Sequence, residues 1–282
     1  YKRKTRHCHD FLSVPRTPCP AGLDGCIMTE ISAEEVIMSD PVLAICFLAL
    51  GLAGFTAAPQ SFEKDVVATS LDDLEITFLG HGSLMMAFGA KTIHVDPYGD
   101  VADYGSLAKA DLVLVTHEHF DHMDPKALQA ILKPDTIIVG AKACAGRLPK
   151  AVILANGETR TVLGLSIEAV PAYNIEHKRP DGNPFHPKGT GNGYIITFGD
   201  TRVYVAGDTE NTPEMKALKS IDVAFLPMNL PYTMTPEMVA DAALAFHPKI
   251  LYPYHFGETD TSILVALLQG EKEIEVRIRR MR

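Results

Sequence analysis

The seven residues THEHFDH, Thr116 to His122, hold three histidines and two carboxylates directly after the apolar run ADLVLV. Charge at the end of a buried strand is costly unless it is paired or holds a metal. The strand must therefore open into a place where ionisable groups find partners. His117 and His119 are two apart, so in an extended chain they project to the same side. Asp121 and His122 follow as the chain turns toward a helix, and can face a second centre. Imidazole nitrogen and carboxylate oxygen are ligands that zinc, manganese and iron share. The pattern is not the helical H-E-x-x-H, because Asp121 stands where its second histidine would be. Two later runs end alike: VYVAGDTE in Asp208, preceded by Gly207, and LYPYHFG in His255. Three strands ending in ligand-type groups predict a metal site at one edge of a sheet.

The rest of the chain from Leu74 onward supplies such sheets. LEITFLG, SLMMAFG and KTIHVDP read as short β segments. ADLVLVTH is a continuous apolar strand, as expected when both faces are covered. Asp124 can cap the next helix, with Pro125 at its first position. TIIVGA and KACAGRL then repeat the strand-then-helix order, and Cys144 reads as a small buried residue. GYIITFGDTRVYVAGD predicts a hairpin turning at Gly199-Asp200. Thr212-Pro213 and Thr235-Pro236 mark two further helix starts, and TSILVALLQ and EIEVRIR a last helix and strand. Both halves thus run from a β meander into βα units. The expected fold is α/β, a four-layer αβ/βα sandwich of two mixed β-sheets with outer helices.

A chain of 282 residues is near the upper limit for one hydrophobic core. Its net charge of −9, without a basic stripe, argues against nucleic acid as a partner. Four of its five cysteines precede residue 50, and no C-x-x-C pair suggests a zinc ribbon or redox motif. Residues 1–37 lack a sustained period and read as an unstructured or misassigned leader. Residues 38–60 contain the apolar run PVLAICFLALGLAGFTAA and resemble a signal peptide, so export or a periplasmic location is expected. If that segment is not a signal, the protein is cytoplasmic; if it is uncleaved, it is the one membrane contact. One folded domain is expected over residues 70–282.

The order H-x-H-x-D-H, then AGDT, then a strand-terminal histidine, resembles the metallo-β-lactamase superfamily. FLGHGS, HVDPY, HPKG and AGDTE are similar to landmarks of its ascorbate-6-phosphate lactonase-like branch. The resemblance covers Leu74 to the C-terminus. It implies one metal at His117 and His119, a second at Asp121 and His122, Asp208 bridging both, and His255 completing the second. Many relatives end the strand AVPAY in histidine, where this chain has Asn174. Either Asn174 is an oxygen ligand, or His186 or His177 from the following loop takes the position, and His186 in FHPKG is favoured.

The resemblance implies one or two divalent ions, zinc or manganese, with iron as a third option. The expected activity is metal-dependent hydrolysis, a metal-bound hydroxide attacking a small ester, lactone or phosphodiester. Asp121 and Asp208 are the catalytic candidates, Asp121 orienting the water. The alternative is a metal-binding or sensing protein of the same fold without turnover. No Ser-His-Asp or activated-cysteine arrangement competes. His81 is expected beside the metals, and Tyr173, Asn229 and Tyr232 in the pocket. His94 reads as structural, His247 as a helix-end surface residue, and Asp96 as an organiser of the loop beneath the motif. A small-molecule substrate and a homo-oligomer complete the expectations.

Overall fold

The computed structural model describes residues 60–281. The expected leader and nearly all of the signal-like segment lie outside these residues. Among the described residues no helix is long and apolar enough to cross a membrane.

The first sheet runs β1 (Glu63–Val67), β2 (Leu74–Gly80), β3 (Ser83–Phe88), β4 (Lys91–Val95), β5 (Leu112–Val115), β6 (Ile137–Ala141) and β7 (Val152–Leu154). Pairing is antiparallel through β4 and parallel from β4 to β7. The second sheet repeats this plan with β8 (Thr159–Val162), β9 (Leu165–Ala172), β10 (Gly191–Phe198), β11 (Thr201–Val205), β12 (Val223–Pro227), β13 (Ile250–Tyr254) and β14 (Glu275–Val276). It is antiparallel from β8 to β11 and parallel from there to β14. The mixed sheets and outer helices are those the sequence predicts.

Alternation along β5 explains its unbroken apolar run. Leu112 and Leu114 join the core between the sheets, while Val113 and Val115 pack with Leu128 and Ile131 of helix α1 (Pro125–Ile131) on the other face. Between the sheets, Phe225 and Tyr252 stack at 5.0 Å and Phe78 reaches across to Tyr252 at 5.1 Å. Each such buried ring contributes about 1.5–3 kcal/mol through area alone. Helix α2 (Pro213–Lys216), α3 (Pro236–Phe246) and α4 (Thr261–Leu267) follow strands of the second sheet. Phe246 of α3 meets Tyr204 edge-on at 6.2 Å. The Thr-Pro starts cap as expected: the side chains of Thr212 and Thr235 accept from Met215 N and Met238 N. His247 is the exposed C-cap of α3.

Three details differ from the sequence reading. Strand β1 lies ahead of residue 70 and extends the sheet as a charged, half-buried edge. Its Asp65 pairs with Arg279 at 2.8 Å and Arg277 at 3.5 Å, tying the chain's C-terminal segment to the first sheet. KACAGRL forms only a single 3-10 turn at Lys142–Cys144, with Cys144 buried and Gly146 following. EIEVRIR pairs only at Glu275–Val276, because its arginines turn to these carboxylate partners instead.

His94, in the middle of β4, is fully buried, with Nε2 3.0 Å from the Ala108 carbonyl and Nδ1 without a partner. Burial, opposed by the Ala108 bond, pushes its pKa down from 6.5 to about 4. The folded chain thus holds His94 neutral while the unfolded chain takes up a proton below pH 6.5. Its stabilising effect is complete above that pH and is lost as pH falls toward 4, roughly 3 kcal/mol in all. Urea unfolding of His94→Phe should show a flatter pH dependence across this window than the parent. An unchanged slope would refute the assignment.

Candidate metal centre

The C-terminal ends of β2, β4, β5, β9, β11, β12 and β13 all open onto one edge of the sandwich. His81 follows β2, Asp96 follows β4, and the histidine motif follows β5. Asp208 crosses toward β5 because residue 207 is glycine: a Cβ there would lie 2.9 Å from both Asn192 O and Thr116 Cβ.

On one side of Asp208, Nε2 of His117 and Nε2 of His186 flank Nδ1 of His119 at 3.1 and 3.3 Å. The other ring nitrogens fix how these imidazoles are protonated. His117 Nδ1 sits 3.0 Å from the Thr116 hydroxyl, which itself donates to Asp96. The lone pair of that hydroxyl therefore accepts from Nδ1–H. His186 Nδ1 lies 2.7 Å from Asn174 Oδ1. The Asn174 amide is oriented by its Nδ2 donating to Glu210 at 3.0 Å and to Tyr232 O at 2.9 Å. Both Nε2 atoms are thereby left as bare lone pairs converging with a third nitrogen. One proton can satisfy only part of such a set; a cation satisfies all of it.

On the other side, His122 Nε2 and His255 Nε2 face Asp208 Oδ1 at 3.4 and 3.5 Å, and Asp121 Oδ2 at 3.8 and 3.7 Å. These two nitrogens and Asp208 Oδ1 are buried without a hydrogen bond. Such orphaned groups are what a cation would satisfy. His122 Nδ1 is held by Asp96 at 2.8 Å, and Asn229 lies 3.3 Å from His255 Nδ1. Asp208 Oδ2 meanwhile faces His186 at 3.3 Å and His117 at 4.0 Å. Each oxygen of one carboxylate thus addresses a different group of imidazoles. His117, His119 and His186 form one set able to hold an ion, and His81, Asp121, His122 and His255 another.

Charge follows this geometry. Burial would raise Asp208, but the surrounding His255, His122, His186 and His117 hold it far below the usual carboxylate range. Asp121 behaves alike: burial is outweighed by the facing His255 and His81 rings. Burial holds His117 well below its ordinary value and lowers His186 to about 4. Burial pushes His122 down too, but Asp208 and Asp96 outweigh it and raise the group to about 9. The cluster thus balances its carboxylates with a proton where a divalent ion would serve better.

Of the three options for the missing ligand, His186 is the side chain brought to the centre. Asn174 turns its oxygen to His186, and His177 is drawn to Glu210 at 2.9 Å. His81 lies beside the centre, 3.0 Å from Asp121. Asn229 and Tyr232 line an open cleft of about 530 Å³ over it. Tyr173 does not: its ring is buried and its hydroxyl donates to Glu214 at 2.9 Å. Sequence reasoning passed over Glu210, whose carboxylate also accepts from the amides of Ile175, Glu176 and His177 at 2.7–2.8 Å. Its position two residues after Asp208, in a turn of polar residues, was the available signal.

The sequence profile of the beta-lactamase superfamily domain matches residues 75–255, more than half of the chain. A UPF0173 metal-dependent hydrolase from Methanoculleus marisnigri is 32% identical over 225 residues, 72% of this chain and 97% of that relative. The chain belongs to the beta-lactamase superfamily, among the UPF0173 metal-dependent hydrolases. A solved structure from Parabacteroides distasonis, whose name as a metal-dependent hydrolase is provisional, is 50% identical with a TM-score of 0.75. It matches over 79% of this chain and 100% of that one. Igni18, a metallo hydrolase from Ignicoccus hospitalis, shares the fold at 24% identity and a TM-score of 0.62, over 74% of this chain and 96% of its own. The narrower likeness to ascorbate-6-phosphate lactonase-like enzymes has no support in these relatives.

For this metal-dependent hydrolase, His186→Ala should bind one divalent ion fewer than the parent, measured as metal per chain by mass spectrometry. Asn174→Ala leaves His186 Nδ1 without its acceptor and should weaken that site roughly ten- to a hundredfold. Unchanged stoichiometry and affinity in both variants would contradict the assignment.

Proposed function

We propose that the protein hydrolyses a small ester, lactone or phosphodiester with two divalent ions, zinc or manganese, held on the two sides of Asp208. The observation that carries this reading is the convergence of five imidazoles, with the Nε2 lone pairs of His117 and His186 bare, around a carboxylate whose two oxygens face opposite ways. His117, His119 and His186 would hold one ion with Asp208 Oδ2. Asp121, His122 and His255 would hold the other with Asp208 Oδ1. Bound there, a divalent ion supplies Lewis acidity and lowers the pKa of water from that of bulk solvent toward about 7.

The chain's own groups do the remaining work. Asp121 is the most open of the acidic groups here, its side chain 36% exposed against 5% for Asp208. It can therefore reach water in the cleft and orient it. His81, 3.0 Å away, holds Asp121 in place and packs at a tilt against His255, with ring centroids 3.6 Å apart. Phe120, Phe185 and Tyr232 line the same cleft and give a substrate an apolar flank. A protein that binds metal without turnover would be favoured by a gap in the ligand set at Asn174. The placement of His186 beside His119 weakens that argument.

Chelation should abolish turnover of p-nitrophenyl esters, lactones or bis-p-nitrophenyl phosphate, and zinc or manganese should restore it. Asp121→Ala should lower kcat at least about a hundredfold while the chain stays folded. Equal activity in metal-free protein would overturn the reading.

A further inference from the structure

The loop from Asn174 to His186 does more than deliver a histidine. Its two ends are closed on each other: Asn174 N donates to His186 O at 2.9 Å, and His186 N donates to Asn174 Oδ1 at 2.8 Å. The first residues past this neck are clamped by the Glu210 carboxylate through three successive amides. Further out, Lys178 bridges Pro184, Arg179 N donates to Asn183 O at 2.7 Å, and Gly182 N donates to Arg179 O at 2.9 Å. Arg179 is therefore carried on a small hairpin whose base is the metal centre itself.

Its guanidinium lies 5.0 Å over the Phe185 ring and contributes to the wall of the cleft above Asp121 and Asp208. Among the residues lining that cleft, Arg179 alone carries a permanent positive charge. Its nearest carboxylate in sequence, Asp181, accepts from Asn183 N at 3.0 Å through Oδ1 and from Asn183 Nδ2 at 3.1 Å through Oδ2, and meets the Arg179 charge only through space. Among the described residues the guanidinium makes one hydrogen bond, a long one of 3.4 Å to Phe185 O. The ring contact orients the group, and the remaining N–H donors meet no protein acceptor among the described residues. Phe185 in turn meets Tyr232 edge-on at 5.0 Å, so the cation sits at the rim of an aromatic wall. A stacked arginine with free donors suits a planar or tetrahedral anion better than a lysine would.

We propose that Arg179 is a specificity-determining residue that binds an anionic group of the substrate, a carboxylate or phosphate, remote from the bond being cleaved. The substrate is then an acidic ester or lactone whose apolar middle lies along Phe185 and Tyr232 while its reacting carbonyl meets the centre. This inference rests on the hydrolase reading, because it takes the cleft over the metal centre as the substrate's seat.

Matched esters test it on the full, metal-loaded protein: p-nitrophenyl butyrate, p-nitrophenyl hydrogen succinate, and the p-nitrophenyl ester of 3-phosphonopropionate. These differ only at the far end, which is neutral, a carboxylate or a phosphonate. The parent should prefer one or both anionic esters in kcat/KM, and the preferred one identifies the anion. Arg179→Ala should raise KM for that ester about tenfold to a hundredfold, with kcat and the butyrate reaction nearly unchanged. Metal content should stay at the parent's value, and Arg179→Lys should recover part of the loss. Equal effects on neutral and anionic esters, or none on either, would overturn the proposal. If the parent cleaves none of these esters, the hydrolase reading fails for this class, and calorimetry decides the subsite. Succinamate should then bind the parent at least about tenfold more tightly than Arg179→Ala, with butyramide indifferent to the change. Equal succinamate binding, or none to the parent, would overturn it.

Discussion

Asp208 is a buried carboxylate surrounded by imidazoles on two sides, and most of this edge of the protein is arranged around that fact. A negative charge at 5% exposure is untenable alone, so His117 and His186 face one oxygen and His122 and His255 the other. Those rings would be as badly placed without the carboxylate. The outer nitrogens of His117 and His186 are committed to Thr116 and Asn174, which leaves their inner ones without protons, while Asp96 holds the outer nitrogen of His122. Gly207 lets the strand that carries Asp208 close against Thr116, and so brings the second sheet to the first at this point. The two sheets thus meet in an aromatic core at their middle and in a ligand cluster at their ends.

At residue 174, where many relatives are expected to carry histidine, the chain has a residue that positions another side chain. Asn174 orients the ring that replaces it, through the amide oxygen, while its nitrogen is steered by Glu210 and Tyr232 O. A buried carboxylate, an amide and an imidazole form a line in which each member fixes the next. The same Glu210 gathers three backbone amides of the loop, so ligand geometry and cleft shape depend on one clamp.

Much of this was readable from residues. An apolar run ending in His-x-His-x-Asp-His requires a polar terminus with partners, and the later ends at Asp208 and His255 supply them. Thr-Pro pairs announce helices because the hydroxyl and the missing N–H both suit a first turn, and both examples cap as read. Other features were not readable, each for a physical reason. Strand β1, EKDVV, has neither an apolar face nor alternation strong enough to mark it; its place comes from pairing with β2 and from ion pairs to Arg277 and Arg279, over 200 residues away. The return of His186, rather than His177, to the centre depends on closure of the loop between residues 12 apart, through Asn174 N to His186 O and His186 N to Asn174 Oδ1. Spacing does not encode such closure. Tyr173 follows β9 just ahead of Asn174 but points away from it, where Glu214 and Lys188 meet its hydroxyl. KACAGRL has helix-forming residues but runs into Gly146, and only one turn survives.

The central claim is that the two oxygens of Asp208 address two separate cations. Anomalous diffraction from crystals of metal-loaded protein, collected at the absorption edge of the bound metal, measures this directly. The account predicts two peaks, one among His117, His119, His186 and Asp208 Oδ2, the other among Asp121, His122, His255 and Asp208 Oδ1. A single peak, or a peak ligated by Asn174 with His186 turned away, would contradict it.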